Sequence, residues 1–519
     1  MSFLQQALAS SNCTAAAIPF PEVFGASFIS TQASLVENFS TFASSQRNFN
    51  HPDIEVKNVT YCNVTITHTH LGQNDTLITQ VWLPMQPTWN ERLQAIGGGG
   101  WIAGLFGFTD IGMAAAVAEG YATFTTNGGV PSQLPEDWAL LSPGNVNLYL
   151  LNDFASVALN DAALVAKSVI NSFYGQPPKY SYWSGCSQGG RQGLTFAQRY
   201  PDVFDGIAAG APAINWAELF VGAYHPQQVM NEMQQYAHPC ELDALTAAAI
   251  KACDANDGLV DGIISDPDSC HFDPQSMVGA PLNCSTPGAP TTISKVAATV
   301  ADAAWTGAKA SDGTLLWYTP GYEANLTSPT SLATTICSSN GTCTSTNAQG
   351  VNLLTSWLTL FVEKNPKFNV TAMSRQDYER VFRKSVREYE SIISTNSPNL
   401  SEFRNAGGKM ITYHGLADQI ITFRNSRHYY DAVTALDTNV HDFYRLFEAP
   451  GLAHCNAGAG GYPFGTFAAL VDWVENGKVP DALKATSVTN VTTKLCPYPK
   501  KAVFGGSSEN VGFDSFTCT

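Results

Sequence analysis

In the stretch SGCSQGGR, Ser184 to Arg191, Ser187 stands at the centre of a G-x-S-x-G string running from Gly185 to Gly189. Small flanking residues let a strand turn sharply into a helix there, leaving the serine hydroxyl exposed at the bend. A hydroxyl at its ordinary pKa is a poor nucleophile. A base must lie within hydrogen-bond reach, and a third group must fix that base's tautomer. Where such a turn carries a triad, the chain order is Ser, then Asp or Glu, then His. Asp418, after KMITYHGLA, and His454, after DFYRLFEAPGLA, satisfy that order. His414 lies next to Asp418 as a supporter of it, whereas His225, His238 and His271 fall in an irregular central region. His68 and His70, in THTH, point to one face of an early strand. Such a pair is of metal-ligand type, but the reading taken is of partly exposed strand histidines.

Two of the three candidates have a cysteine as immediate neighbour: Cys186 precedes Ser187 and Cys455 follows His454. A disulfide holds its Cα atoms about 4.4–6.8 Å apart. A Cys186–Cys455 bridge therefore brings the serine and histidine loops together, while pairing of either cysteine elsewhere leaves them unconnected.

The run Gly97–Gly100 admits two readings. With Trp101 to Ala103 it nearly spells the dinucleotide fingerprint, but Glu119, the acid at the right distance, precedes the next strand instead of ending it. Following a strand and lying upstream of the serine, the glycines better suit an oxyanion loop, with an N–H of Gly98 or Gly99 joining that of Gln188. Further on, CDANDGLVDGIISDPDSC crowds Asp254, Asp257 and Asp261 between two cysteines. The spacing is not that of an EF-hand. Three carboxylates so close repel one another unless solvated or neutralised, and hard oxygen ligands suit Ca²⁺.

The elements that must position these residues follow from periodicity. Residues 53 to 96 alternate as strands. From there YATFTTN, KYSYWSG and FDGIAAGAP read as strands, separated by helical FASVALNDAALVAKSVINSFYG and QGGRQGLTFAQRY. Strands alternating with helices imply a largely parallel sheet. After about Ile214 the rhythm is lost, with only scattered helical patches such as MSRQDYERVFRKSVREYESI, and it resumes at GGKMITYHGLADQII. The economical reading is one α/β core, residues 1–212 and 401–519, interrupted by an inserted domain at 213–400.

The 519 residues carry a formal net charge of −16 and no basic stripe, which argues against nucleic acid and anionic membranes as partners. No apolar stretch approaches the ~18 residues of a membrane span. Twelve cysteines, an even count without a C-x-x-C pair, and recurrent Asn-x-Ser/Thr acceptors such as Asn38, Asn74 and Asn325 point to a disulfide-bonded, glycosylated, secreted protein. The start MSFLQQALASSNC is expected to be what remains after a signal peptide has been removed and a Met added.

Taken together, IGGGGW, SGCSQGGRQG, HGLADQII and APGLAHC resemble the tannase and feruloyl esterase family over nearly the whole chain. The resemblance implies an α/β-hydrolase core with a lid and action on esters of phenolic acids. By position it makes Ser187 the nucleophile, His454 the base and Asp418 its orienter, and it pairs Cys186 with Cys455. It also implies a lid Ca²⁺ site to which the backbone carbonyls of Leu259 and Ile263 contribute, and no organic cofactor. Proximity or resemblance suggests Cys13–Cys62, Cys253–Cys270, Cys337–Cys343 and Cys496–Cys518. The expectation is a secreted feruloyl esterase acting on plant cell-wall polysaccharide, such as xylan, with tannase as the alternative. A peptidase or lipase shares the triad. A non-catalytic binding module would lack a triad member, and here all three are present.

Overall fold

The computed structural model describes residues 12–105, 109–328, 332–345, 353–506 and 511–519. Nine strands make one sheet: β1 (Ala26–Ala43), β2 (Ile54–His70), β3 (Leu77–Pro84), β4 (Arg92–Ile96), β5 (Ala122–Thr126), β6 (Tyr180–Cys186), β7 (Gly206–Gly210), β8 (Lys409–Gly415) and β9 (Tyr444–Ala449). Their order across the sheet is β1-β2-β3-β5-β4-β6-β7-β8-β9. The first three are antiparallel neighbours and β3 meets β5 antiparallel; from β5 to β9 every pairing is parallel. The parallel strands β5 to β8 are buried along almost their whole length, with residues of both faces in the interior. In contrast, β2 alternates, burying Cys62, Val64, Ile66, His68 and His70 on one face. The two histidines are thus interior, a correction to their reading as partly exposed. The long edge strand β1 escapes the sequence reading because it buries only its last residue, Ala43, so no apolar face marks it.

Helices fill the crossovers. Those of the first half are α1 (Thr109–Ala118), α2 (Leu148–Ala155), α3 (Val157–Tyr174) and α4 (Gln188–Arg199). The stop at Gly175 is a left-handed C-cap. Between β7 and β8 lie α5 (Trp216–Ala223), α6 (His225–Met233), α7 (Pro239–Cys253), α8 (Lys295–Thr306) and α9 (Arg375–Ile393), followed by α10 (Phe423–Leu436) and α11 (Thr466–Asn476). This central segment holds more helix than scattered patches. Three of its helices are capped by a side chain, α7 by His238, α8 by Ser294 and α9 by Ser374 with Asp377 in a capping box.

The segment does not hang free of the sheet. Trp101, directly after the glycine run, stacks on Phe361 at 5.1 Å between ring centroids and meets Trp216 edge-on at 5.2 Å, with Phe154 and Trp357 around them. All are buried in one cluster. Each such ring removes enough apolar surface to contribute roughly 1.5–3 kcal/mol. Six disulfides complete the fold, the four suggested outside the site together with Cys186–Cys455 and Cys240–Cys284.

Candidate active site

Strand β6 ends at Cys186 and α4 begins at Gln188, so Ser187 alone makes the turn, at φ 64° and ψ −120°. A non-glycine residue held there stores about 1–3 kcal/mol of strain. The surroundings enforce it: the Ser187 N–H donates to the Gly210 carbonyl at 3.0 Å, and its carbonyl accepts from Arg191 and Ala213. Glycine is required on both sides. A Cβ on Gly185 would sit 2.6 Å from the Gly189 backbone, and one on Gly189 would meet the Gly98 carbonyl at 2.9 Å. Beneath the turn, the fully buried Asn50 donates its side-chain amide to the Ser184 hydroxyl at 3.0 Å. Arg191 is buried without a carboxylate partner. Its guanidinium donates instead to the carbonyls of Phe154, Ala155 and Ile393, at the C-terminal ends of α2 and α9, and to Gln188 Oε1, where helix dipoles favour a cation.

The loops after β8 and β9 carry the other two residues. His454 Nδ1 lies 2.8 Å from Asp418 Oδ2, and the His454 N–H donates to Gln419 Oε1 at 3.2 Å. Asp418 is 1% exposed. Its Oδ1 accepts the N–H groups of Ile420 and Ile421, and Oδ2 lies 3.2 Å from His414 Nε2. His414 is fixed in turn by Ser426 and the Ile421 carbonyl. Burial alone would raise Asp418, but the charge of His454 and the hydrogen bonds from His414 and His454 outweigh it and hold the carboxyl well below the usual range. An ionised Asp418 accepting from Nδ1 leaves Nε2 as the free nitrogen of His454.

The Cys186–Cys455 bridge sets its two Cα atoms 6.0 Å apart and so brings the serine and histidine loops side by side. Cys455 takes φ 64°, a second strained residue next to a candidate group. The hydrogen bonds of His454 run to Asp418, Gln419 and the Asn456 N–H, and none joins it to the Ser187 hydroxyl in this conformation.

The glycine run differs from expectation. The Gly98 N–H donates to Gln192 Oε1 at 2.9 Å and that of Gly99 to the Ile102 carbonyl at 3.0 Å, so both are committed and neither is free for an oxyanion. Gln192, on α4, also donates to the Ala103 carbonyl and thereby ties the loop down at both ends. Gln188, by contrast, opens α4, where the first N–H groups have no partner within the helix.

In the acidic loop, Asp254 accepts from the N–H groups of Asp261 and Gly262, Asp257 from Leu259, and Asp261 from Ile263. Desolvation in the loop, then the charges of Asp257 and Asp254, push Asp261 up to about 6. The sequence reading missed Glu323. It accepts from the Ile264 N–H at 3.1 Å, and burial, with Asp261 and Asp254 nearby, pushes it to about 8. No local motif marks an acid so distant in the chain. Carboxylates gathered in and beside one loop make a donor set that fits a hard divalent cation. A cavity reaches Asp418, lined by Trp317, Tyr318 and Ala304 of the central segment and by Gln419 and Ile420 of the β8 loop.

Comparison with known proteins makes the chain a carboxylic-ester hydrolase. The chain belongs to the tannase and feruloyl esterase family, whose model matches residues 62–519. A probable feruloyl esterase of Arthroderma benhamiae is 38% identical over 476 residues, covering 88% of this chain and 85% of that protein. The solved structure of a tannin acyl hydrolase from Aspergillus niger superposes with a TM-score of 0.87 at 28% identity, covering 98% and 95% of the two chains. That of feruloyl esterase B from Aspergillus oryzae gives 0.78 at 25% identity, covering 96% and 97%.

Proposed function

We propose that this protein is a secreted serine esterase that hydrolyses feruloyl and related hydroxycinnamoyl esters of plant cell-wall polysaccharides such as xylan. The observation that carries the mechanism is the strained Ser187 held beside a His454–Asp418 pair by the Cys186–Cys455 bridge. His454 Nε2 takes the Ser187 proton as Oγ attacks the ester carbonyl, and the Gln188 N–H steadies the oxyanion. Collapse expels the alcohol, which His454 protonates. Water, deprotonated by the same nitrogen, then releases the acid from the acyl-enzyme. Asp418 remains ionised throughout and holds the imidazole's tautomer.

Residues 213–400 act as a lid over this site, supported by the cavity they form against the β8 loop. Asp254, Asp257, Asp261 and the carbonyls of Leu259 and Ile263 hold a Ca²⁺ whose role is to neutralise the loop and rigidify the lid. Secretion and glycosylation are supported by the six disulfides and by exposed acceptor asparagines such as Asn38, Asn74, Asn325 and Asn490. No described helix is long and apolar enough to cross a membrane.

The 38% relative favours ferulate, while the higher TM-score to the tannin acyl hydrolase favours galloyl esters as the second reading. The test is kcat/KM for methyl ferulate against methyl gallate. A clear preference for gallate moves the assignment to tannase, and hydrolysis of neither overturns both. A serine-directed phosphonate should label the peptide containing Ser187, and labelling elsewhere rejects the nucleophile.

A further inference from the structure

The inward face of β2 ends in His68 and His70, and α2 and α3 bring Asp153 and Asp161 against them. His70 Nε2 lies 2.8 Å from Asp161 Oδ2, and His68 Nε2 lies 3.9 Å from the same oxygen. On its other side, His70 Nδ1 lies 2.6 Å from Asp75 Oδ2. Asp75 is itself fixed by the Thr69 hydroxyl and the His70 N–H. His68 is fully buried, yet neither of its ring nitrogens has a hydrogen-bond partner, and both oxygens of the buried Asp153 are likewise without one. Orphaned polar atoms of this kind are costly in an interior and call for a missing partner.

The arrangement has a specific chemical direction. When Asp75 accepts the Nδ1 proton of His70, Nε2 is left as a lone pair aimed at Asp161 and His68, which is how a carboxylate orients a metal-bound histidine. The ligand atoms of His68, His70 and Asp161 all lie within 4.8 Å of one another. We propose that His68 Nε2, His70 Nε2 and Asp161 form a binding site for a divalent d-block cation of the zinc type, with Asp75 orienting His70 and Asp153 supplying further negative charge at the site. Two imidazoles with a carboxylate suit zinc and exclude calcium, which takes oxygen ligands. His70 and Asp161 keep a sliver of exposure, 7% each, through which an ion and a water ligand enter. The role is structural: four strand spacings of ~4.8 Å, about 19 Å in all, separate β2 from β6 and Ser187.

The test uses the full chain, stripped by chelator, resupplied with excess Ca²⁺ and titrated with Zn²⁺ alone. One Zn²⁺ per chain is expected, with Tm rising by several degrees. His68→Gln and Asp161→Asn should weaken binding by at least ~100-fold and Asp75→Asn by ~10–100-fold. Near-unchanged ester hydrolysis and circular dichroism by the stripped wild type show that the fold stands before zinc is added. Because a variant can misfold, Co²⁺ bound to the wild type supplies an independent reading, with ligand-field absorption of a nitrogen-containing site expected. A wild-type protein that takes up no Zn²⁺ under saturating Ca²⁺, zinc binding unaffected by His68→Gln, or a Co²⁺ spectrum of all-oxygen ligation overturns the proposal. None of these outcomes bears on the ester-cleaving triad.

Discussion

At His454 one aspartate serves two imidazoles, whereas at His70 one imidazole lies between two aspartates. Asp418 has both oxygens satisfied by N–H donors and stays ionised although buried, so it can stand opposite a histidine that gains and loses a proton. Around His70 the balance is different: three carboxylates crowd two imidazoles, and Asp153 receives no hydrogen bond. In the two proposed roles, the same pair of residue types serves proton transfer where every carboxylate oxygen is satisfied and cation binding where it is not.

The sharpest way to probe the first half of that contrast is Ser187→Ala, expected to lower kcat by about 10⁶-fold with Tm unchanged, since the groups of a triad act as a unit. Full activity in a folded variant would end the serine mechanism. Asp418→Asn follows at about 10⁴-fold, because the amide supports the wrong imidazole tautomer. The pH profile separates its role from that of His454. Asp418 lies below its ordinary value of 3.8. Its contribution to stability is therefore complete above that value and is lost as pH falls through the folded one. The acid limb of kcat/KM should accordingly carry no contribution from Asp418 above pH 3.8, and a two-proton slope there would show that Asp418 titrates.

Replacing Cys186 and Cys455 together by alanine should cost about 100-fold, falling on kcat more than on KM, as a misplacement of roughly 1 Å does. An unchanged kcat would mean that packing alone holds the two loops together. The smallest effect concerns the acidic loop, where three aspartates accept from backbone N–H groups. Chelation should lower Tm by a few degrees and leave kcat at 25 °C within about twofold, because an ion bound only by the folded loop stabilises by mass action. A Tm indifferent to chelator and to added Ca²⁺ would leave Asp254, Asp257 and Asp261 as a solvated turn.

How far the sequence reveals these sites depends on how local their determinants are. Ser187 is legible because strand, glycine, serine and helix are contiguous. Asp418 and His454 follow because each lies in the loop after a strand, in a fixed order, and the flanking cysteines tie two of the three. The cluster at His70 is not legible. Its partners Asp75, Asp153 and Asp161 come from a loop and two helices, and only β2's register turns the histidines inward. Gly98 and Gly99 look free in sequence and are not, because Gln192, a helix side chain, reaches back to one of them. The helices of 213–400 were obscured by the Cys, Gly and Ser between them, and β1 by having no apolar face.

The bridge beside Ser187 has a further consequence. It closes a ring of chain that runs from Cys186 to Cys455, 269 residues apart, and encloses the whole central segment. Exposed loops are where proteases nick a folded chain. A single cut anywhere in that ring would open the polypeptide without releasing either piece, and Ser187 and His454 would still share one covalent tether. Such a clipped enzyme would run as an intact molecule until a reductant parted its halves.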